Sequence, residues 1–371
     1  MLLSAYHPGI ELLGVSTVFG NAPVHKTTDN ALSVLAAIGK ADGVRVYRGA
    51  AKALEREAFH ATEIHGESGL DGTALLPPAE AARGALDASG TPAWEAMAAA
   101  LRGRAPGTAW VVATGALTNV ARLFAAHPDL RAHVAGVSIM GGGIGDAFTP
   151  APMGRVDDVD RVGNYSQWAE FNILIDPEAA AALLHDPVLA PKTTLVPLDL
   201  THLVLATKDV QDLLLRGAGA PPLPHGENGE VKVEAKSTLR QMLVELLMFF
   251  AETYRDVFGI VEGPPLHDPL AVAAVLAGTS HEIPFYDFDA AGAAGPGRRE
   301  RFEVRVVTEG TVEDARLRGA QTGRTLARLL PPGAEGVRIP RGLDIGLFWK
   351  VIEECCQRAD LANAANAAGK A

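Results

Sequence analysis

The feature that most constrains this chain is an alternation. Apolar runs of strand length, Ile10–Val18, Val44–Tyr47, Ala109–Ala113, Val134–Met140 and Thr193–Pro197, are separated by stretches with helical periodicity. Runs that are apolar throughout, rather than at every second residue, are buried on both faces when they form strands. With helices between them they predict an α/β fold, a mainly parallel sheet with helices on both faces. Helices are predicted over Val24–Gly39, Pro92–Arg104, a segment capped by Thr118 or Asn119, residues 177–185, Val233–Phe258, 270–277 and Asp344–Ala359. The 371 residues, 48% apolar, can fill a large core. No repeat or linker divides them, so residues 1–358 are predicted to be one domain, followed by a flexible Ala/Asn-rich tail, 359–371.

Charge and composition remove several functions. A net charge of −11 argues against nucleic acid as a partner, which needs a basic footprint. No apolar run reaches membrane-spanning length, and Met1–Ala5 lacks the basic start of a signal peptide. The two cysteines, Cys355 and Cys356, are neighbours and cannot staple distant segments, which fits a reducing, cytoplasmic setting.

Polar residues at the mouths of apolar runs mark the candidate site. In Ala169–Ala180, Asp176 is suited to cap a helix, Pro177 to open it and Glu178 to favour its positive end. Glu170 and Asn172, with Asn164 upstream, enter a buried segment, which costs free energy unless they are hydrogen-bonded. They either satisfy loop backbone or grip a polyhydroxylated ligand such as a sugar. Asn21, at the end of the first strand, reads as a turn residue or a site residue. His65 lies in a long connection, 50–78, and is either a solvated loop histidine or a group held over a site. Asp268 precedes a proline and reads as a helix cap; His267 beside it has no such explanation. Two look-alikes fail. Gly66-Glu67-Ser68-Gly69 lacks the strand and the glycine spacing of a nucleophile elbow. Gly141-Gly142-Gly143-Ile144-Gly145 lacks the dinucleotide-loop spacing and the helix that should follow, so its glycines are read as letting backbone approach a ligand.

In order and spacing, Glu11–Asn21, His65–Gly69, Thr114–Val120, Ile139–Gly143, Asn164 with Glu170–Asn172 and Ile175–Ala180, Leu198–His202 and His267–Pro269 resemble the inosine–uridine nucleoside hydrolase family. The resemblance implies a Rossmann-like nucleoside hydrolase fold. It implies hydrolysis of the N-glycosidic bond of a ribonucleoside, giving ribose and free base, with bound Ca²⁺ and a small-molecule substrate. It implies roles as well. Asn164 and Glu170 hold the 5′-hydroxyl, and Asn172 the lower hydroxyls. Asp268 is a calcium ligand that touches ribose, and the Thr114 carbonyl is a second ligand. His267 is the acid that protonates the leaving base, and His65 a base-side contact. Asn21 and Met140 line the ribose pocket. The family also implies a homo-oligomer.

One family motif, D-x-D-x-G-x-D-D, is absent from the sequence. In the family it supplies two metal carboxylates and the aspartate that activates water. Alignment of Glu11–Asn21 places it just ahead of Met1, so Met1–Tyr6 is expected to be the tail of a helix whose start, first strand and metal-binding loop are missing. Either the sequence is an incomplete reading of a working enzyme's gene, or the chain is a nucleoside-binding protein without turnover. For the 371 residues as written, the expectation is no tight Ca²⁺ binding, little or no nucleosidase activity, and reduced stability.

Overall fold

The strands form where the apolar runs predict them, shorter at their ends. A computed structural model describes residues 1–156, 158–221, 234–287 and 300–369. Five parallel strands carry the fold: β1 (Val15–Thr17), β2 (Val46–Arg48), β3 (Trp110–Ala113), β4 (Gly136–Met140) and β5 (Thr193–Val196). They form two ladders, β1 beside β2, and β3–β4–β5 with β4 in the centre. Every residue of β4 and of β5 is buried, as a central parallel strand requires. A single unbroken sheet is therefore not what forms. The two ladders are joined by side chains instead. Asn119 donates to the Thr17 carbonyl (2.9 Å) and accepts from the Ala50 N–H (2.9 Å). Asp176 accepts from the Leu54 N–H (3.0 Å) and the Thr118 hydroxyl. Thr118 and Asn119 thus bridge the ladders, whereas the sequence had predicted that one of them caps the Thr118–Ala126 helix; Leu117 holds that position, with no side-chain cap.

An antiparallel hairpin, β6 (Phe302–Val306) with β7 (Thr325–Leu329), packs its apolar face on the β3–β5 side, where Phe302, Val304 and Val306 join the core with Val137, Ile139 and Leu195. Asp176 caps the Pro177–Leu184 helix through the Ala179 N–H (3.1 Å), and Ile173, Leu174 and Ile175 are buried before it. Each such side chain stabilises the fold by about 1.5–3 kcal/mol.

Two helices differ from expectation. The long helix predicted over Val233–Phe258 is two, Thr238–Met248 and Ala251–Phe258, turning at Phe249–Phe250. Its first residue, Val233, and the other residues from 222 lie outside the described ones, as do 370–371 of the predicted tail. The closing helix does not end at Ala359 but runs from Ile345 to Ala368. Asn363 holds its far end by donating to the Ala37 carbonyl (2.9 Å) at the end of the Val24–Ala37 helix. Arg240, fully buried, ties Thr238–Met248 to this closing helix through Asp360 (2.6 Å) and Glu353 (3.1 Å).

Candidate active site

The carboxyl ends of the parallel strands converge, and ligands bind at that edge in open α/β sheets. Met140 ends β4 with its side chain buried. A Cβ placed on Gly115, after β3, would come within 3.2 Å of Val18, after β1, so these two ends adjoin as well.

Glu170 is the best-anchored group at this edge. It caps the turn Phe171–Leu174, its Oε1 accepting from Asn172 N–H (2.9 Å) and its Oε2 from Ile173 N–H (3.2 Å) and Gly142 N–H (3.0 Å). Burial pushes its carboxyl up to about 7 against the pull of these three N–H groups, and nearby Asp268 adds to the rise. The Asn172 amide donates to the Met140 carbonyl (3.1 Å) and meets its sulfur (3.3 Å). Asn164 Oδ1 accepts from Phe171 N–H (2.9 Å). Each of these residues satisfies loop backbone, and the three lie in one cluster.

A second group faces them. His267 Nε2 lies 2.6 Å from the Tyr254 hydroxyl and Nδ1 lies 2.7 Å from the Thr201 hydroxyl. Burial pushes His267 down to about 3, and the neighbouring His202 and His65 push the same way. His202 is held neutral by burial, pushed down to about 4, with Nδ1 2.8 Å from the Pro152 carbonyl. The His65 ring packs against Phe250 (5.4 Å) and Phe171 (6.4 Å). Asp268 is solvent-exposed at the lip of this group, and desolvation by its surroundings pushes its carboxyl up, opposed by the Met1 amino group. It does not cap the following helix: His267 holds the cap position, and Asp268 is the first helical residue. Tyr254 is raised by burial and then by Glu170 and Asp268, which places all three in one electrostatic neighbourhood.

The structure thus gathers Met140, Asn164, Glu170, Asn172, His65, His267 and Asp268. Asn21 follows β1 in a turn closed by Gly20 N–H on the Ala22 carbonyl, and Thr114 follows β3 with its side chain exposed. Among the described residues, no hydrogen bond joins Thr114 to the cluster. Three further residues belong here that sequence reasoning did not assign: Tyr254, Thr201 and His202. The run Leu198–His202 carried a signal, because its polar residues follow directly on the buried strand β5.

A metal was tested against these donors. Among the described residues no group of three His, Cys, Asp or Glu is placed to hold one, and Ca²⁺ takes about six to eight oxygen ligands. The residues described here do not fit a protein-built Ca²⁺ site.

Comparison with known proteins gives the lineage. The model for "Inosine-uridine preferring nucleoside hydrolase" matches residues 1–350. A uridine nucleosidase of Saccharomyces cerevisiae is 37% identical over 363 residues, covering 97% of this chain and 92% of its own. A probable ribonucleoside hydrolase of Dictyostelium discoideum is 35% identical over 285 residues, covering 74% of this chain and 72% of its own. Among solved structures, a purine-preferring ribonucleoside hydrolase from Gardnerella vaginalis superposes with a TM-score of 0.68 at 21% identity, covering 97% of this chain and 94% of that one. That likeness shows the nucleoside hydrolase fold, including its mainly parallel sheet and flanking helices. With the order of motifs, the clustered site and the family match in agreement, the chain belongs to the inosine–uridine preferring nucleoside hydrolase family.

Proposed function

We propose that this protein hydrolyses the N-glycosidic bond of purine or pyrimidine ribonucleosides to ribose and free base, in nucleoside salvage or catabolism. The observation that carries the reading is the pairing of a backbone-anchored Glu170 and Asn172 with a half-buried His267 in one neighbourhood. Breaking this bond builds positive charge on the ribosyl ring, as in glycoside hydrolysis. In our reading Glu170 and Asn164 hold the 5′-hydroxyl, while Asn172 and Asp268 hold the lower hydroxyls. Asn21 and Met140 line the pocket, and His65 meets the base. His267 protonates the departing base. It is neutral at rest; negative charge growing on the base raises its affinity for a proton, so it takes up the proton that the attacking water releases and passes it to the base. Overall, the hydroxyl of the attacking water ends on C1′ and its proton on the base.

Ca²⁺ in this family supplies positive charge beside the ribose, and the Thr114 carbonyl and Asp268 are the proposed ligands. The described donors do not suffice for it. Weak turnover by residues 1–371 belongs to the proposal, on the ground that D-x-D-x-G-x-D-D is absent from them. A single domain, a homo-oligomer and a cytoplasmic setting belong to it too. The last is supported by two buried unpaired thiols, and no helix among the described residues is long and apolar enough to cross a membrane.

The test is to incubate the purified 371-residue protein with uridine and with inosine, reading free base by chromatography and binding by calorimetry. Binding with slow base release is expected. Binding with no release selects the second reading, a nucleoside-binding protein without turnover, and neither binding nor release refutes both.

A further inference from the structure

Asp199 has no role in the site as described above, yet it is held like a working part. It is 1% exposed, and its two carboxylate oxygens accept from Ile144 N–H (2.8 Å) and Gly145 N–H (2.9 Å). Its own carbonyl accepts the Thr149 hydroxyl, and the neighbouring Leu198 N–H donates to the Gly142 carbonyl (2.9 Å). The loop gripped in this way, residues 141–145, is the one that delivers Gly142 N–H to Glu170 Oε2. Two buried carboxylates therefore clasp one glycine loop from its two ends.

The loop cannot set this shape through side chains. Gly142 and Gly145 have φ of +81° and +74°, which strain any other residue, and a Cβ on Gly143 would collide with the Val162 carbonyl. Its conformation rests on backbone hydrogen bonds, and Asp199 accepts two of them. A buried carboxylate is costly unless it is fully hydrogen-bonded. An amide in its place offers one oxygen and turns an N–H₂ toward the second N–H. Glu170 has about four acceptor sites, of which three are filled by backbone, leaving one for a ligand hydroxyl. The direction of that last site depends on where Gly142 N–H holds Oε2.

We propose that Asp199 is a positioning residue for ribose recognition: it fixes the 141–145 loop so that Gly142 N–H aims the free acceptor site of Glu170 at the 5′-hydroxyl. This rests on the reading of Glu170 given under Proposed function. It differs from a packing role in one respect: its effect must pass through that hydroxyl alone.

The experiment is calorimetry of the full 371-residue protein with uridine and with 5′-deoxyuridine. The wild-type protein is expected to prefer uridine. D199N is expected to weaken uridine binding about tenfold, the loss of one to two net hydrogen bonds, and to leave 5′-deoxyuridine binding within about twofold. The double variant D199N/E170Q is expected to bind uridine no more weakly than E170Q. Equal weakening of both ligands by D199N, or no weakening of either, overturns the proposal. A wild-type protein that binds both ligands equally, or binds neither, overturns the Glu170 reading itself, and the Asp199 proposal with it. If D199N does not fold, Thr149→Val loosens Asp199 through its backbone. The same uridine-only loss, about threefold, is then expected, and an equal loss on both ligands overturns the proposal.

Discussion

The sugar-facing and base-facing parts of the site are built by different means. Around Glu170, Asn164 and Asn172, the hydrogen bonds run between side chains and backbone, apart from the Asn172 amide on the Met140 sulfur, on a turn that follows buried strands. Around His267, the partners are other side chains: the Tyr254 and Thr201 hydroxyls and the His202 ring, which packs in turn on Phe258, with the His65–Phe250 ring pair nearby. Backbone-anchored groups cannot turn without breaking the fold, so this part suits a ligand of one shape, a pentose. Side-chain partners on the Ala251–Phe258 helix, at Phe250 before it and at His65 can be exchanged without disturbing the sheet. That suits the half of a nucleoside that varies.

The comparison can be broken most sharply at Tyr254. Tyr254→Phe leaves His267 Nε2 without its partner and is expected to lower kcat about 10- to 100-fold with nucleoside affinity nearly unchanged. A variant that instead loses affinity and keeps kcat would make Tyr254 a grip like Glu170 and erase the distinction. The second effect is a pH dependence on the sugar side. The Glu170 carboxyl is raised by the fold, from the ordinary carboxylate range to about 7. Its contribution to stability is therefore greatest below about pH 4.5 and is lost as pH rises toward 7. Glu170→Gln removes the titrating group but sets an N–H₂ against backbone N–H donors, so the variant's stability relative to wild type is expected to improve as pH rises from 4.5 to 8, by on the order of 2 kcal/mol in urea unfolding, from a lower starting point. Histidines held low by burial act in the opposite sense. His202 contributes stability that is complete above about pH 6.5 and lost as pH falls through about 4, so comparing Glu170→Gln with wild type at each pH is what isolates Glu170. The smallest effect belongs to the surface. Lys26 meets Glu67 beside the His65 turn, with the Glu67 side chain 90% exposed. Lys26→Ala is expected to shift the unfolding midpoint by less than about 0.5 kcal/mol, and a larger shift would show that this turn is anchored as firmly as the sugar side.

Much of this was legible in the residues, and the remainder was hidden for physical reasons. Asn164, Glu170 and Asn172 were visible because polar groups in an apolar segment demand partners. The cap at Asp176 was visible because capping is local. The division of the sheet was not, since apolar runs say that strands are buried and nothing about which neighbours they pair with. Tyr254 was hidden inside an apparently continuous helix, whose turn at Phe249–Phe250 carries neither glycine nor proline. Asp268 misled because Asp-Pro is also how a helix start is written, yet here the aspartate lies one residue inside the helix. Thr118 and Asn119 misled in the same way, since residues suited to capping serve long-range bonds when a neighbouring ladder lies within reach.

The seam between the two ladders has a mechanical consequence. Where a continuous sheet would transmit any displacement of β1 to β3 through a row of backbone bonds, here it passes through side chains: the amide of Asn119, the carboxylate of Asp176, the Arg56–Glu178 ion pair and the apolar cluster around Phe19, Phe171 and Ile175. The register of the half bearing Asn21 and His65 against the half bearing Met140, Glu170 and Asn172 is therefore set by side chains and not by a backbone ladder.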